Sequence, residues 1–182
     1  FVCKEEMQEK YPDAEICVFD SICASGGHGL LIYHAIENKK KGMSVKENMQ
    51  ALEELKHRIV HKFTVDDLTY LQRGGRISKT AAVIGGMIQL KPVLHVDTEG
   101  RLAAESKVRG RKKALNQLLA EMDICTGGYA DKQDVVLICH ADCPEDAEYV
   151  RAKVEEKYHP NKIIMSEVGP IVGAHVGPDR KS

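Results

Sequence analysis

Apolar positions along the chain follow two different periods, and their order predicts alternating strands and helices. Short apolar runs at 15–21, 134–142 and 161–168 are typical of buried strands. The stretches "KPVLHVD" and "RLAAESKV" alternate apolar and polar residues on either side of "TEG", which predicts a hairpin. Elsewhere apolar residues recur every three or four positions, as in the helix predicted over 110–124. We therefore predict an α/β layered architecture.

Capping residues set the expected bounds of the helices in the first third of the chain. A helix over 2–11 comes first, and the capping box "SVKE" opens a second helix that runs from Ser44 to about His61. Between them, the strand predicted at 15–21 leads into a glycine-rich loop, "SGGHG". The loop is followed by a helix that ends in lysines and Gly42, a favourable helix C-terminus.

Glycines also divide the middle of the chain. Thr64 or Asp66 is expected to cap a short helix, which Gly74 and Gly75 then end. The apolar stretch 79–90 is expected to form another helix.

The composition limits the classes of function. The 182 residues carry a net charge of −1, which gives no general attraction to nucleic acid or to an anionic membrane. There are 3 Phe, 6 Tyr and no Trp, too few for a surface that stacks single-stranded nucleic acid. No run of about 18 apolar residues is present, so we predict no membrane span.

The 6 cysteines form no C-x-x-C pair. "CHADC" places His140 between Cys139 and Cys143, but no second pair lies at the spacing of a zinc finger. We therefore predict neither a metal site nor a cofactor. The thiols are expected to be free in a reducing compartment, which indicates a cytoplasmic protein.

Two motifs are candidates for binding an anion. "SGGHG", at 25–29, would suit an anion on its backbone N–H groups, or simply a tight turn that needs glycine. "KVRGRKK", at 107–113, puts positive charge at a helix start, where it opposes the helix dipole. This stretch is either a surface for an anionic partner or a solvated run of charge. Together the two motifs would suit a kinase or phosphatase, although the sequence has no Walker motif.

Two further motifs carry groups that bind carboxylates. "RGGRIS" places Arg73 and Arg76 around a glycine pair, for recognition of an anion or for stabilising a helix end. His175 lies in "GAHVG", between two Gly-Pro pairs, and the flanking glycines allow a ligand to approach closely. An imidazole there can bind a carboxylate, although a lone histidine is more often structural. No nucleophile-elbow motif accompanies it.

Several of these stretches occur together in one family. In order, the chain carries "VFDS", "ASGGHG", "FTVDDLTYLQRGGRIS", "IGGMIQLKPVLHVDTEGRL", "KVRGRKKA" and "GPIVGAHVGP". This combination, which covers nearly the whole chain, resembles the DegV family of bacterial fatty-acid-binding proteins. The resemblance implies a binding protein rather than an enzyme. It also implies one long-chain fatty acid held between two α/β domains, with its tail in an apolar tunnel.

The resemblance assigns roles to individual residues. His175 matches the family histidine that helps to hold the fatty-acid carboxylate, and Arg76, with Arg73 beside it, belongs to the signature near the cleft. Arg111, with Arg109, matches a basic position expected to face a fatty acid kinase, which phosphorylates the bound acid. The candidate tunnel or core residues are Ile84, Met87, Ile88 and Leu90.

The resemblance also implies how the chain is divided. Residues 1–62 would be the remnant of an N-terminal Rossmann-like domain, and residues 63–182 a C-terminal domain with a mixed sheet. Family members carry a further N-terminal segment, whose "TSQPS"-like and "SGTY"-like motifs contact the carboxylate, and neither motif is present here. We therefore expect a truncated chain that binds fatty acid weakly or not at all. Sheet edges left by the missing strands are expected to favour a homo-oligomer.

Overall fold

The computed structural model describes residues 2–78, 90–127 and 134–177. Within these ranges helices and strands alternate. The helices are α1 (Val2–Lys10), α2 (Ser25–Lys40), α3 (Val45–Leu55), α4 (Leu68–Arg73), α5 (Arg111–Thr126), α6 (Pro144–Tyr158) and α7 (Pro170–Val176). The strands are β1 (Lys62–Thr64), β2 (Leu90–Val96), β3 (Leu102–Arg109), β4 (Val135–His140) and β5 (Lys162–Glu167).

The described strands form two sheets. β1, β2 and β3 pair antiparallel in that order, and β2 and β3 form the predicted hairpin. β4 and β5 pair parallel, and α6 is the crossover helix between them. Because α5 contacts all three strands of the first sheet and also contacts α6, it joins the two layers. The predicted α/β fold class is confirmed.

One apolar cluster holds α4 on the antiparallel sheet. Its buried members are Val65, Leu68, Leu71 and Leu94, and Leu71 is only 1% exposed. These side chains come from the end of β1, from α4 and from β2, so their burial fixes the position of α4. Val176 of α7 packs against the same cluster. The helix that carries His175 is therefore anchored to the core.

The strand predicted at 15–21 is wrong. Residues 15–24 have no regular secondary structure, and Val18 within them is exposed. No strand pairs with this segment among the residues that the structure describes. An apolar run becomes a strand only where a neighbour supplies ladder hydrogen bonds, and the short sequence window could not show whether one was present.

The glycine-rich loop predicted at 25–29 is also wrong, because these residues begin α2. The glycines allow the helix to lie directly against β4. A Cβ atom added at Gly26 would lie 2.8 Å from Cδ2 of Leu137, closer than real Cβ contacts. The glycines of "SGGHG" therefore indicate a helix that packs closely against a strand, rather than a loop that binds an anion.

The capping box at the start of α3 is confirmed. The backbone N–H of Glu47 donates to the Ser44 hydroxyl at 3.3 Å, and the Ser44 N–H donates to the Glu47 carboxylate at 2.8 Å. α3 is shorter than predicted, since it ends at Leu55 and a 3₁₀ turn over Lys56–Arg58 follows it.

The capping residue predicted for α4 is wrong by one position. Asp67, rather than Thr64 or Asp66, accepts a hydrogen bond from the N–H of Thr69 at 2.8 Å. Asp66 instead pairs with Lys91 at 2.7 Å, and Thr64 ends β1. Gly74 caps the C-terminus of α4, and Gly75 has a φ of +71°, so both end the helix as predicted.

The helix predicted at 79–90 lies outside the described residues, except that Leu90 begins β2. The candidate tunnel residues Ile84, Met87 and Ile88 lie outside them for the same reason.

Substitution of Leu71 tests the placement of the α4 cluster. Leu71→Ala is expected to lower the free energy of unfolding by about 2–5 kcal/mol, since it removes a fully buried side chain and leaves a cavity. Ile171→Ala is the control, because that side chain is 81% exposed and its removal is expected to change little. Urea unfolding measures both. Equal stability of the two variants would contradict the core described above.

Candidate functional site

Two of the sequence motifs meet at Gly74, the glycine that caps α4. A Cβ atom added at Gly74 would lie 2.2 Å from Nδ1 of His175, well inside the closest approach of real Cβ atoms. The imidazole therefore rests directly on the glycine. This contact, here named the Gly74 junction, joins "RGGRIS" to "GAHVG".

A second glycine contact holds α7 against α4. Gly177 follows α7 with a φ of +72°, and a Cβ atom added there would lie 2.6 Å from Cδ2 of Tyr70. Both the backbone angle and the nearby ring require glycine at this position. Sequence reasoning did not identify Tyr70. The one feature of the sequence that pointed toward this contact was the Gly-Pro pair after His175, which is typical of a turn.

The imidazole of His175 is available to a ligand. The side chain is half-buried in the short helix α7, and it makes no hydrogen bond to any residue that the structure describes. A half-buried ring with unused nitrogens can donate a hydrogen bond to a carboxylate or accept one from a hydroxyl.

Arg76 and Arg73 lie on the same turn as the glycine. The Nη1 of Arg76 donates to the carbonyl oxygen of Gly74, so its guanidinium and the His175 ring contact the same residue. Arg73 is the last residue of α4, one position before the glycine, and is exposed. The structure therefore brings His175 and Arg76 together, with Arg73 beside them.

Arg111 and Arg109 lie elsewhere. Arg111 begins α5, and its Nε donates to the Asp146 carboxylate at 2.8 Å. Its side chain is only 21% exposed and has a second carboxylate, that of Asp66, at 3.8 Å from Nη1. Arg109 ends β3 and is exposed. Of the two predicted partner-binding residues, Arg109 is thus the more accessible.

A cavity of about 770 Å³ lies between α5, α6, β1 and β4. Its walls are largely apolar, and charged side chains such as Arg58 and Lys62 also line it. His175, Arg73 and Arg76 are not among the described residues that line it. Sequence reasoning missed this cavity, although the apolar face of α5 and the apolar run of β4 each indicated one of its walls.

The two cysteines of the "CHADC" motif lie in different surroundings. Cys139 lies in β4, where burial raises the pKa of its thiol, and Cys143 lies next to Arg111. Across the described ranges, no group of three or more His, Cys, Asp or Glu side chains is arranged to hold a metal ion. Nor does any helix within those ranges have both the length and the apolar character needed to cross a membrane.

The sequence matches a known family over almost its whole length. The model of the family described as "Uncharacterised protein, DegV family" matches residues 1–181. The chain belongs to the DegV family. A DegV domain-containing protein of Clostridium perfringens is 42% identical over 176 residues, which are 97% of this chain and 60% of that protein. A DegV domain-containing protein of Lactococcus lactis is 34% identical over 180 residues, again 60% of its length. The DegV chain thus spans about 60% of the curated relatives that it matches.

Solved DegV structures share the fold. A fatty-acid-binding DegV protein of Thermus thermophilus superposes with a TM-score of 0.83 at 28% identity, covering 98% of this chain and 63% of that one. A stearic-acid-binding protein of Eubacterium ventriosum has a TM-score of 0.83 at 27% identity, over 98% and 61% of the two chains. The Fatty Acid Kinase (Fak) B3 protein of Streptococcus pneumoniae, loaded with linoleic acid, has a TM-score of 0.86 at 21% identity, over 98% and 62%. At that identity the likeness concerns the fold alone.

Substitution of Gly74 tests the junction. Gly74→Ala is expected to lower the free energy of unfolding by about 1–3 kcal/mol, since the added methyl group must displace the His175 ring. Gly173→Ala, inside α7 with nothing within 4 Å of the added atom, is the matched control. It is expected to be stabilising by about 0.5–1 kcal/mol. Denaturant unfolding of both variants checks the pair. Equal effects of the two substitutions would rule out the contact.

Proposed function

We propose that this DegV chain is part of a long-chain fatty-acid-binding protein, with the acid's carboxylate at the Gly74 junction. In this proposal His175 donates a hydrogen bond to the carboxylate, Arg76 supplies the opposite charge, and Arg73 adds positive charge at the rim. The observation that carries the proposal is the contact of His175 with Gly74, which puts a ring without hydrogen-bond partners among the described residues beside an arginine.

Family membership supports the choice of ligand. DegV proteins of Thermus thermophilus and Streptococcus agalactiae, at 28% and 26% identity to this chain, are described as fatty-acid-binding. A carboxylate that leaves water loses its hydrogen bonds to water. If the protein does not replace them, its burial costs several kcal/mol. One imidazole and one guanidinium replace only part of them. We therefore expect weak binding by this chain.

We further propose that the bound acid is presented to a fatty acid kinase, with Arg109 and Arg111 toward that partner. The description of the fold neighbour from Streptococcus pneumoniae as a Fatty Acid Kinase (Fak) B3 protein suggests this class of partner. Because the side chain of Arg109 is exposed, we favour Arg109 as the residue that contacts the kinase. The chain itself would contribute no catalytic group. A cytoplasmic location and a homo-oligomer stay predictions.

The rival hypothesis, a phosphate-handling enzyme, loses one of its two motifs. Its glycine-rich loop is the first turn of α2, where Gly26 packs against Leu137. The basic stretch at 107–113 remains, but Arg111 within it is engaged by Asp146.

Native mass spectrometry with palmitate tests the proposed function. The wild-type chain is expected to take up one acyl chain at the Gly74 junction, and His175→Ala to weaken this uptake by roughly ten-fold or more, since a hydrogen bond to a charged group is lost. His57→Ala is the control, because His57 is exposed in the 3₁₀ turn. Identical palmitate uptake by wild type and both variants would refute the role of His175.

A further inference from the structure

The first turn of α2 contacts both sheets of the structure. Gly26 lies against β4, since a Cβ atom added there would be 2.8 Å from Cδ2 of Leu137 and 3.3 Å from Sγ of Cys139. Gly27 lies against His61, since its added Cβ atom would be 1.7 Å from Nε2 of that ring. His61 directly precedes β1. The turn is therefore in contact with a strand of the parallel sheet and with the residue that leads into the antiparallel one.

The His61 ring faces the helix with its Nε2 edge. The ring carbons Cε1 and Cδ2 would lie 2.5 and 2.7 Å from the Cβ atom added at Gly27, which is itself buried. The Nε2 atom is also buried, and it has no hydrogen-bond partner among the described residues. A neutral ring leaves only one acceptor unused here. A protonated ring would bring an unpaired N–H and a positive charge into the contact.

The end of α2 supplies donors rather than acceptors to such a proton. The first N–H groups of a helix point out of its N-terminus and carry a positive partial charge. The carbonyl oxygen of Ala24, the cap residue, already accepts the N–H of Gly27 at 3.1 Å and that of His28 at 3.4 Å. A protonated His61 would therefore meet the positive end of the dipole of a 16-residue helix.

The titratable groups of α2 and β4 near this contact are basic or neutral. α2 carries His28 in its first turn and His34 further along, and neither is an acid. On β4, burial raises the pKa of the Cys139 thiol, which keeps the thiol neutral. In the segment before α2, the carboxylate of Asp20 accepts the N–H of Ile22 at 2.9 Å.

The chain on either side of His61 is basic, and the acids of the neighbouring elements are engaged. The 3₁₀ turn before it consists of Lys56, His57 and Arg58. Glu53 of α3 pairs with Lys56 at 2.6 Å. Lys62, which begins β1, pairs with two carboxylates, those of Glu105 and Glu121. Burial, with no compensating partner, accordingly lowers the pKa of His61.

We propose that His61 is a pH-sensitive latch on α2. The neutral ring lets the first turn of α2 lie against β4, and the protonated ring releases that turn. Release uncovers Leu137 and the thiol of Cys139, which accepts hydrogen bonds from Ser25 and from the backbone of Gly26 while the turn is in place. The latch and the Gly74 junction lie in different elements, so this proposal stands or falls independently of the function proposed above.

The direction of the pH dependence follows from the burial of the ring. When α2 is released, the ring is hydrated and its pKa returns to about 6.5. When α2 is in place, the pKa of His61 is lower. The contact is therefore fully favoured above a pH of about 6.5 and weakens as the pH falls below that value. Each pH unit of further acidification raises the released fraction by up to about ten-fold.

Hydrogen exchange of the backbone amides tests the latch. Exchange is read by mass spectrometry of peptides and corrected for the intrinsic effect of pH on the amides. Between about pH 7.5 and about pH 5.5, exchange in α2 is expected to accelerate about ten-fold, while exchange in α6 stays unchanged. Constant exchange in α2 would overturn the proposal. Equal acceleration in α2 and α6 would also overturn it, because it would show unfolding of the whole chain.

Three histidine variants identify the group that titrates. His61→Asn is expected to abolish the acceleration in α2, because the side chain can no longer take up a proton. His61→Phe, which keeps a neutral ring against the glycine, replaces it if circular dichroism shows that His61→Asn does not fold. The matched controls are His57→Asn, in the exposed 3₁₀ turn, and His34→Asn, within α2, and both are expected to keep the acceleration. Its loss in either control, or its persistence in the folded His61 variant, would overturn the proposal.

Discussion

The arrangement of the candidate site depends on the contact between the imidazole of His175 and Gly74. The contact requires a residue without a side chain at the end of α4, and it requires α7 to lie within van der Waals distance of that turn. Val176 in the apolar cluster and Gly177 under the Tyr70 ring keep α7 in this position. Packing in the core and chemistry at the surface are therefore coupled through three consecutive residues, His175 and Val176 at the end of α7 and Gly177 directly after it.

The contact between His175 and Gly74 explains why two motifs separated by about a hundred residues of sequence act together. "RGGRIS" supplies a helix end, a glycine surface and an arginine. "GAHVG" supplies the ring that rests on that surface. Neither motif forms a binding arrangement alone, because a single imidazole or a single exposed guanidinium holds an anion poorly in water. Together they concentrate a hydrogen-bond donor and a positive charge on one residue, Gly74.

Much of the fold could be predicted from local patterns, and the errors share one cause. The β2–β3 hairpin, the capping box of α3 and the helix α5 depend on residues close in sequence, and all three are confirmed. The run at 15–21 and the glycines at 25–29 depend on neighbours in space. The first has no strand partner among the described residues, and the second packs on β4. Neither property can be read from a short stretch of sequence, because each depends on residues that are distant along the chain.

The candidate residues of the proposed site could be named from the sequence, but their geometry could not. His175 and Arg76 were identified by residue type and by family resemblance, while their common contact with Gly74 required coordinates. Arg111 shows the opposite case. Its basic neighbourhood predicted a surface role, yet carboxylates from two other segments, Asp66 and Asp146, draw its side chain inward. The α5–α6 cavity likewise exists only because elements distant in sequence leave space between them.

Nuclear magnetic resonance of the His175 ring tests the central claim most directly. With histidine labelled in the ring and palmitate labelled at its carboxyl carbon, the His175 signals are expected to shift as the acid is added. The carboxyl signal is expected to shift with the same saturation curve, and both shifts are expected to be lost in Gly74→Ala, where the ring is displaced. Palmitate that binds the folded chain without moving the His175 signals would contradict the account.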